Sequence, residues 1–329
     1  MIISIIGGGS FGTALGNILS SSHQVILHVR NVKTAKEINV NHINSQYFPA
    51  IKLNTQLKAV VNYDYIGKSD VIILAIPSKH ILEEFNKIQP YLNKTQTVIN
   101  TAKGFTPNGK TVLQELRLLH ANCFSILGPT FASNLIKNEY SAFTVASDMQ
   151  EHYKMAINIF SDTNVILDYS RDYELIEMAS ILKNVFAIAN GLFDSIDDSV
   201  NTKYVFLTQS FKEMMNILSV QFDGINQNYT KNAVFGDLLL TSQNDQSRNK
   251  TLGQLIGRGF YSLDNKSSIT FEGIRSSLVI QDITKKHDIN TPIVDFTCSI
   301  LNGKNVYQEF NKCLINIKNH HDYKGTNKT

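Results

Sequence analysis

The sequence predicts two domains, an α/β domain built on a parallel-rich sheet and, after it, an all-α domain. Three observations carry this. Short runs rich in Ile and Val alternate with helical patterns through the first half of the chain. A glycine-rich hexamer separates the first of these runs from the first helical pattern. After about Asp172 strand-like runs become scarce and long helical patterns take over. The expected domains are therefore 1–172 and 173–329, with a frayed polar tail from about residue 319.

Taken in order, strands are expected at 2–6, 24–29, 70–76, 97–101, 123–127, 141–146 and 164–167. Many are apolar at both alternating positions, the pattern of strands covered by helices on both faces. Helices are expected between them at 12–21, 79–87 and 111–119. Residues 173–193 form a nearly Gly/Pro-free run with Leu175, Ile176, Met178, Ile181, Leu182, Val185, Phe186 and Ile188 distributed around a helix. A helix apolar on every side is a buried one. Further helices are expected at 205–222, 253–259 and 273–287, and near the end.

Composition limits the partners. The chain has 329 residues, 43% hydrophobic and 18% charged, which excludes a disordered chain. Its formal charge of +3 gives no global basic field, so no nucleic-acid partner is expected. The three cysteines Cys123, Cys298 and Cys313 lie far apart without a metal-binding spacing, and a reducing, cytoplasmic setting is expected. No uninterrupted apolar stretch reaches membrane-spanning length, and the first residues read as a strand, not a signal peptide. No stable membrane insertion is expected.

The segment Gly7-Gly8-Gly9-Ser10-Phe11-Gly12 fits G-x-G-x-x-G between the first strand and the first helix. In this Rossmann-type context Gly7 permits the tight turn, Gly9 lets a diphosphate approach the backbone, and Gly12 lets helix and strand pack closely. The helix N-terminus adds unpaired N–H donors and a favourable dipole for the anion. An ordinary glycine turn without ligand is the competing reading. The second strand then ends in Arg30-Asn31 where an NAD-selective site offers an acid, and the first acid beyond is Glu37. A cation there accepts a 2′-phosphate, so the expected cofactor is NADPH or NADH, with NADP favoured. A solvated surface arginine is the alternative.

Further islands share an order and spacing. They are Ile76-Pro77-Ser78, Thr101-Ala102-Lys103-Gly104, Gly128-Pro129-Thr130-Phe131-Ala132 and the run Leu182-Lys183-Asn184-Val185-Phe186-Ala187-Ile188-Ala189. Later come Gly236-Asp237-Leu238-Leu239-Leu240-Thr241, Ser247-Arg248-Asn249 and Phe271-Glu272-Gly273. Together with Ser10-Phe11-Gly12-Thr13-Ala14-Leu15, this pattern closely resembles the bacterial NAD(P)-dependent glycerol-3-phosphate dehydrogenase family, from Ile2 to about Pro292.

The resemblance implies reduction of dihydroxyacetone phosphate to sn-glycerol 3-phosphate, the backbone precursor of phospholipids, by a homodimer. Beside the cofactor-binding glycines Gly7, Gly9 and Gly12 of the turn, it implies cofactor contacts at Ser10, Phe11, Arg30, Ala132 and Glu272, and contacts with both cofactor and substrate at Lys103 and Arg248. It places Gly128, Thr130, Asp237, Ser247 and Asn249 on the substrate side and makes Lys183 the catalytic lysine, also in contact with substrate. Phe11 stands where the family often has Trp or Tyr, Asn134 where an acid is frequent, and Ser276-Ser277 where Thr-Ala is common. None of these departures removes a residue that the chemistry needs.

The chemistry explains the residue types. Hydride addition to a ketone leaves negative charge on oxygen, which needs a proton donor. Lys183 interrupts an all-round apolar helix, where packing alone would not place an ammonium. Burial and a neighbouring cation such as Lys103 would bring it toward the working pH range. A lysine reaching out from the helix to water is the competing reading. Asp237 is a candidate to orient or pair with the lysine, or else an exposed helix cap. Ser247-Arg248-Asn249 offers a bidentate cation between two hydrogen-bonding side chains, suited to a phosphate dianion, or else a solvated polar loop. The cleft between the two domains is the expected site. Another two-domain dehydrogenase, of the hydroxyacid or ketopantoate type, and a dinucleotide sensor without catalysis are the alternative readings.

Overall fold

The structure is a computed structural model and describes residues 1–223, 225–261 and 272–323. It divides into two compact units, Met1–Glu177 with Lys231–Ala233, and Met178–Thr230 with Val234–Thr329. The expected boundary at 172/173 marks the start of a helix, and the units divide five residues further on, inside it.

The first unit contains β1 (Ile2–Ile6), α1 (Ser10–Leu19), β2 (Gln24–His28), α2 (Val32–Lys36), β3 (Lys58–Val60), β4 (Val71–Leu74) and α3 (Ile81–Ile88). It continues with β5 (Thr97–Asn100), α4 (Val112–Leu119), β6 (Cys123–Leu127), α5 (Ala132–Leu135), β7 (Ser141–Ala146), α6 (Gln150–Phe160) and β8 (Val165–Ser170). The strands form one eight-stranded sheet in the order β3-β2-β1-β4-β5-β6-β7-β8. Every neighbouring pair is parallel except β6 and β7. The order reverses beside β1, which pairs β2 on one side and β4 on the other. That reversal is where open α/β sheets bind ligands, beyond the C-terminal ends of the strands.

Strand β4 shows why continuous apolar runs make such strands. Val71 and Ile73 join one core layer with Leu15, Leu19 and Phe160, while Ile72 and Leu74 join the opposite layer with Phe85, Leu113 and Leu116. All four residues are fully buried, so neither face tolerates a polar side chain. In this unit β3, α2, α5 and α6 lie outside the sequence-based expectation. Strand β3 has only three residues, with one, Ala59, buried, too little pattern to read. Helix α6 has only four of its eleven residues buried, one of them His152.

The second unit is helical: most of α7 (Tyr173–Ile196), then α8 (Val200–Gln221), α9 (Ile225–Asn228), α10 (Asp237–Gln243), α11 (Arg248–Gly257), α12 (Glu272–Lys286), α13 (Pro292–Leu301) and α14 (Val306–Tyr323). Helix α7 is long and apolar enough to cross a membrane by length and composition, and its apolar stretch is buried inside the protein. Phe193 of α7 stacks on Phe206 of α8 at 3.5 Å between ring centroids and on Phe296 of α13 at 5.0 Å, with Phe310 of α14 at 5.9 Å. These rings form an aromatic centre for the unit. The polar segment expected from about residue 319 is helical as far as Tyr323, and its remainder lies outside the described residues.

Glu213 of α8 belongs to the same core. Its carboxyl accepts the backbone N–H groups of Ile293 at 2.8 Å and Val294 at 3.2 Å, at the start of α13. Burial pushes this carboxyl up to about 8, against the opposing effect of the two N–H donors.

Candidate active site

In the first unit the glycine turn carries the geometry expected of it. Gly7 has φ +117°, and a Cβ there would stand 2.6 Å from the Ala75 carbonyl oxygen. A Cβ at Gly12 would overlap the Gly7 carbonyl oxygen, so α1 and β1 approach as closely as they do only with glycine. Gly9 differs: a Cβ there would meet nothing within 4 Å. Protein packing does not require that glycine, and the space a side chain would fill stands open. Gly9 is also the N-cap of α1, offers no side-chain cap, and precedes a first turn without acids. The first N–H groups of a helix lack intrahelical acceptors, so an anion such as a diphosphate fits this end.

Strands β1, β2, β4, β5 and β6 run in one direction, so the loops after them share one edge of the sheet. That edge collects the glycine turn with Ser10, Arg30 after β2, Lys103 after β5 and Gly128 after β6. Arg30 is exposed. Lys103 donates from Nζ to the Gly128 carbonyl at 2.7 Å, and Thr130 donates from Oγ1 to the Ala142 carbonyl at 3.2 Å. Gly128 also has a packing role, because a Cβ there would overlap the Ala142 carbonyl oxygen. Phe11 meets Phe143 edge-on at 6.2 Å, and Ala132, at the start of α5, packs on the same core layer.

In the second unit Lys183 is 7% exposed, which excludes a lysine reaching freely into water. Its ammonium donates to Asp237 Oδ1 at 2.9 Å and to Thr241 Oγ1 at 2.9 Å. Asp237 opens α10 and is 1% exposed, so it is a buried partner, not an exposed cap. Thr241 was not among the expected site residues. It lies four residues after Asp237, one helical turn along the same face, and that spacing is the signal that could have found it.

The Ser247-Arg248-Asn249 segment is the start of a helix, not a loop. Ser247 is the N-cap of α11, and its Oγ accepts the Lys250 N–H at 3.3 Å. The helix therefore begins five residues before the expected position. Arg248 is exposed in the first turn, where the helix dipole disfavours a cation unless an anion is bound. Lys250 behind it is buried and pairs with Asp194 of α7 at 3.1 Å and Asp245 at 2.9 Å, fastening α11 to α7. A Cβ at Gly273 would stand 2.7 Å from Asn249 Oδ1 and 3.1 Å from the Asn184 carbonyl oxygen, so α7, α11 and the start of α12 meet there. Glu272 opens α12, and Phe271 lies outside the described residues.

Sequence reasoning also missed Glu177. It accepts from Asn100 Nδ2 at 2.9 Å, Ser125 Oγ at 2.7 Å and the Leu113 N–H at 3.0 Å, and burial pushes its carboxyl upward. Asn100 Oδ1 in turn accepts the Ala102 N–H at 2.9 Å, next to Lys103. The signal was an acid inside the same apolar run that made Lys183 stand out.

Comparison with known proteins covers both units. Residues 2–153 match the N-terminal part of the NAD-dependent glycerol-3-phosphate dehydrogenase family, and residues 172–312 match its C-terminal part. A glycerol-3-phosphate dehydrogenase [NAD(P)+] of Methanothermobacter thermautotrophicus is 33% identical over 87% of this chain and 89% of its own. One of Orientia tsutsugamushi is 29% identical over 97% of this chain and 99% of its own. The crystal structure of a glycerol-3-phosphate dehydrogenase from Coxiella burnetii superposes with a TM-score of 0.86 at 24% identity, covering 95% of this chain and 98% of that one.

Proposed function

From the premise that the chain belongs to the NAD-dependent glycerol-3-phosphate dehydrogenase family, we propose that it reduces dihydroxyacetone phosphate to sn-glycerol 3-phosphate, reversibly, with Lys183 as the acid–base group. The observation that carries the acid–base assignment is the buried Lys183 ammonium, held at 2.9 Å by both Asp237 and Thr241. Such a group is costly for stability alone and is fixed in direction by its two partners.

Bound NADH or NADPH supplies the hydride. Lys183 donates a proton to the ketone oxygen as charge develops there, and in oxidation it takes that proton back from the alcohol. Asp237 and Thr241 hold and aim its ammonium. Arg248, with Ser247 and Asn249, receives the phosphate dianion at the start of α11, where the N–H groups add to the guanidinium. Gly128 and Thr130 contribute on the substrate side, and Lys103 on both substrate and cofactor sides. The glycine turn takes the cofactor diphosphate on the N–H groups of α1, with Ser10, Phe11, Ala132 and Glu272 as further cofactor contacts. Arg30 receives the 2′-phosphate of NADPH, so NADP is the favoured form. The product supplies the glycerol backbone of phospholipids, and the working form is a homodimer in the cytoplasm.

The test is turnover. Purified protein with dihydroxyacetone phosphate and either reduced cofactor should consume nicotinamide absorbance and form glycerol 3-phosphate. Unphosphorylated dihydroxyacetone should be used far less well. No consumption with either cofactor would remove the activity, and equal use of both ketones would remove the phosphate assignment.

A further inference from the structure

Asn44 lies in the irregular segment after α2, outside every motif described above, and is fully buried. Its Nδ2 donates to the Gly8 carbonyl at 3.1 Å and to Thr13 Oγ1 at 2.9 Å. Thr13 Oγ1 donates in turn toward the same Gly8 carbonyl at 3.4 Å. The amide orientation follows from this network: reversed, it would set Oδ1 against the Gly8 carbonyl, acceptor against acceptor. Oδ1 itself is buried without a hydrogen-bond partner among the described residues. Asparagine thus bears an unsatisfied acceptor in a core that would hold an apolar side chain without that cost, which points to its donors as the reason it is there.

The consequence lies in the peptide that follows Gly8. In a trans peptide the C=O of one residue and the N–H of the next point in opposite directions. Tying the Gly8 carbonyl back to Asn44 and Thr13 therefore turns the Gly9 N–H the other way, out of the core. No backbone acceptor takes that N–H among the described residues, and Gly9 is the position where a Cβ would meet only open space. A glycine pair is otherwise free to rotate its peptide plane, which would withdraw the donor.

We propose that Asn44 is a positioning residue for dinucleotide binding, fixing the Gly8–Gly9 peptide plane so that the Gly9 N–H is presented to the cofactor diphosphate. The proposal rests on the dinucleotide reading above and deepens it. Asn44 touches no cofactor itself; it acts through one peptide plane.

The experiment measures binding as well as turnover. Dissociation constants for NADH and for ADP, a diphosphate without nicotinamide, are determined for the full-length parent and for Asn44→Ala and Asn44→Asp. Both constants should rise about tenfold in Asn44→Ala, the scale of one lost hydrogen bond. They should rise at least as much in Asn44→Asp, which keeps the shape and replaces a donor by a carboxylate. The turnover number at saturating NADH and the Michaelis constant for dihydroxyacetone phosphate should stay within about twofold, a split that a general loosening of the fold would not give. Unchanged NADH and ADP binding in variants that unfold like the parent would overturn the proposal. So would an equal rise in the Michaelis constant for dihydroxyacetone phosphate. Should the variants not fold, glycine-selective NMR of the parent still decides: addition of NADH must shift the Gly9 amide, and a stationary Gly9 resonance overturns the assignment. A parent that binds neither NADH nor NADPH removes the dinucleotide reading and this proposal together, whereas binding by the parent with indifferent variants removes the proposal alone.

Discussion

Replacing Glu213 by glutamine tests how the helical unit accommodates a carboxyl in its core. The group is 1% exposed, it takes two backbone N–H donors from the start of α13, and burial pushes it up to about 8 from an ordinary 4.5. The sign follows from proton counting. Below about pH 4.5 the carboxyl is protonated in both folded and unfolded chains and contributes no pH dependence. Between about 4.5 and 8 the folded protein holds a proton that the unfolded chain releases, so stability falls as pH rises. Above about 8 both states are ionised and the loss is complete. Each pH unit within the window corresponds to about 1.4 kcal/mol, so the loss from pH 5 to pH 7 is about 3 kcal/mol and the total on the order of 5 kcal/mol. Glu213→Gln is neutral throughout and keeps an amide oxygen for one of the two N–H groups, at a cost of about 1 kcal/mol for the other. The variant should therefore be slightly less stable than the parent near pH 5 and more stable near pH 8. Urea unfolding at pH 5, 6, 7 and 8, followed by circular dichroism, measures the difference. A parent–variant difference that stays constant across this range would refute the reasoning, because it would mean that Glu213 is ionised in the folded protein as it is in the unfolded chain.

Four further outcomes are expected. Lys183→Ala should abolish turnover while leaving NADH affinity nearly intact, as measured by steady-state kinetics and a binding titration; near-normal turnover would remove the lysine from its role. Arg248→Ala should mainly raise the Michaelis constant for dihydroxyacetone phosphate, and a fall in turnover number alone would count against a phosphate-binding role. Gly12→Ala forces a Cβ onto the Gly7 carbonyl oxygen, and should cost about 1–3 kcal/mol in unfolding experiments and weaken NADH binding. Arg30→Ala should raise the Michaelis constant for NADPH several-fold with little effect on NADH, and equal effects on both would remove the 2′-phosphate contact.

The parts of the fold legible in the sequence are those where burial leaves a simple trace. Strands β1, β4 and β6 are apolar on both faces because core layers cover both, and the apolar run of α7 reflects burial all round. Three-residue β3 leaves no such trace, since an edge strand with one buried side chain has no period to detect. The site was legible where a polar residue contradicted its surroundings, as Lys183 does, or where glycine spacing met a strand–helix junction. It was illegible where one residue type serves two purposes. Ser247 caps a helix in the same pattern that offers a ligand hydroxyl, so the start of α11 was placed five residues too late. Thr241 and Glu177 act through contacts that join distant segments, over 58 and up to 77 residues of sequence, so local pattern marks the residues but not their partners. Asn44 sits in irregular chain, where no period singles out any side chain.

The single antiparallel pairing in the sheet, β6 with β7, governs the route of the chain within the first unit. A helix following a strand that runs with β1 would start at the glycine-turn edge and descend. Because β7 and β8 run the other way, α7 starts at the lower edge and climbs beside the descending α4. Tyr173 lies under the Arg117 guanidinium, Glu174 receives Gln114, and Glu177 reaches the Leu113 N–H and the end of β5. Two reversed strands thus work as a U-turn, and the first residues of α7 run back up the sheet from Arg117 to the end of β5. A protein pruned to end its sheet at β6 would send its next helix downhill, and no substitution in the glycine turn could redirect it.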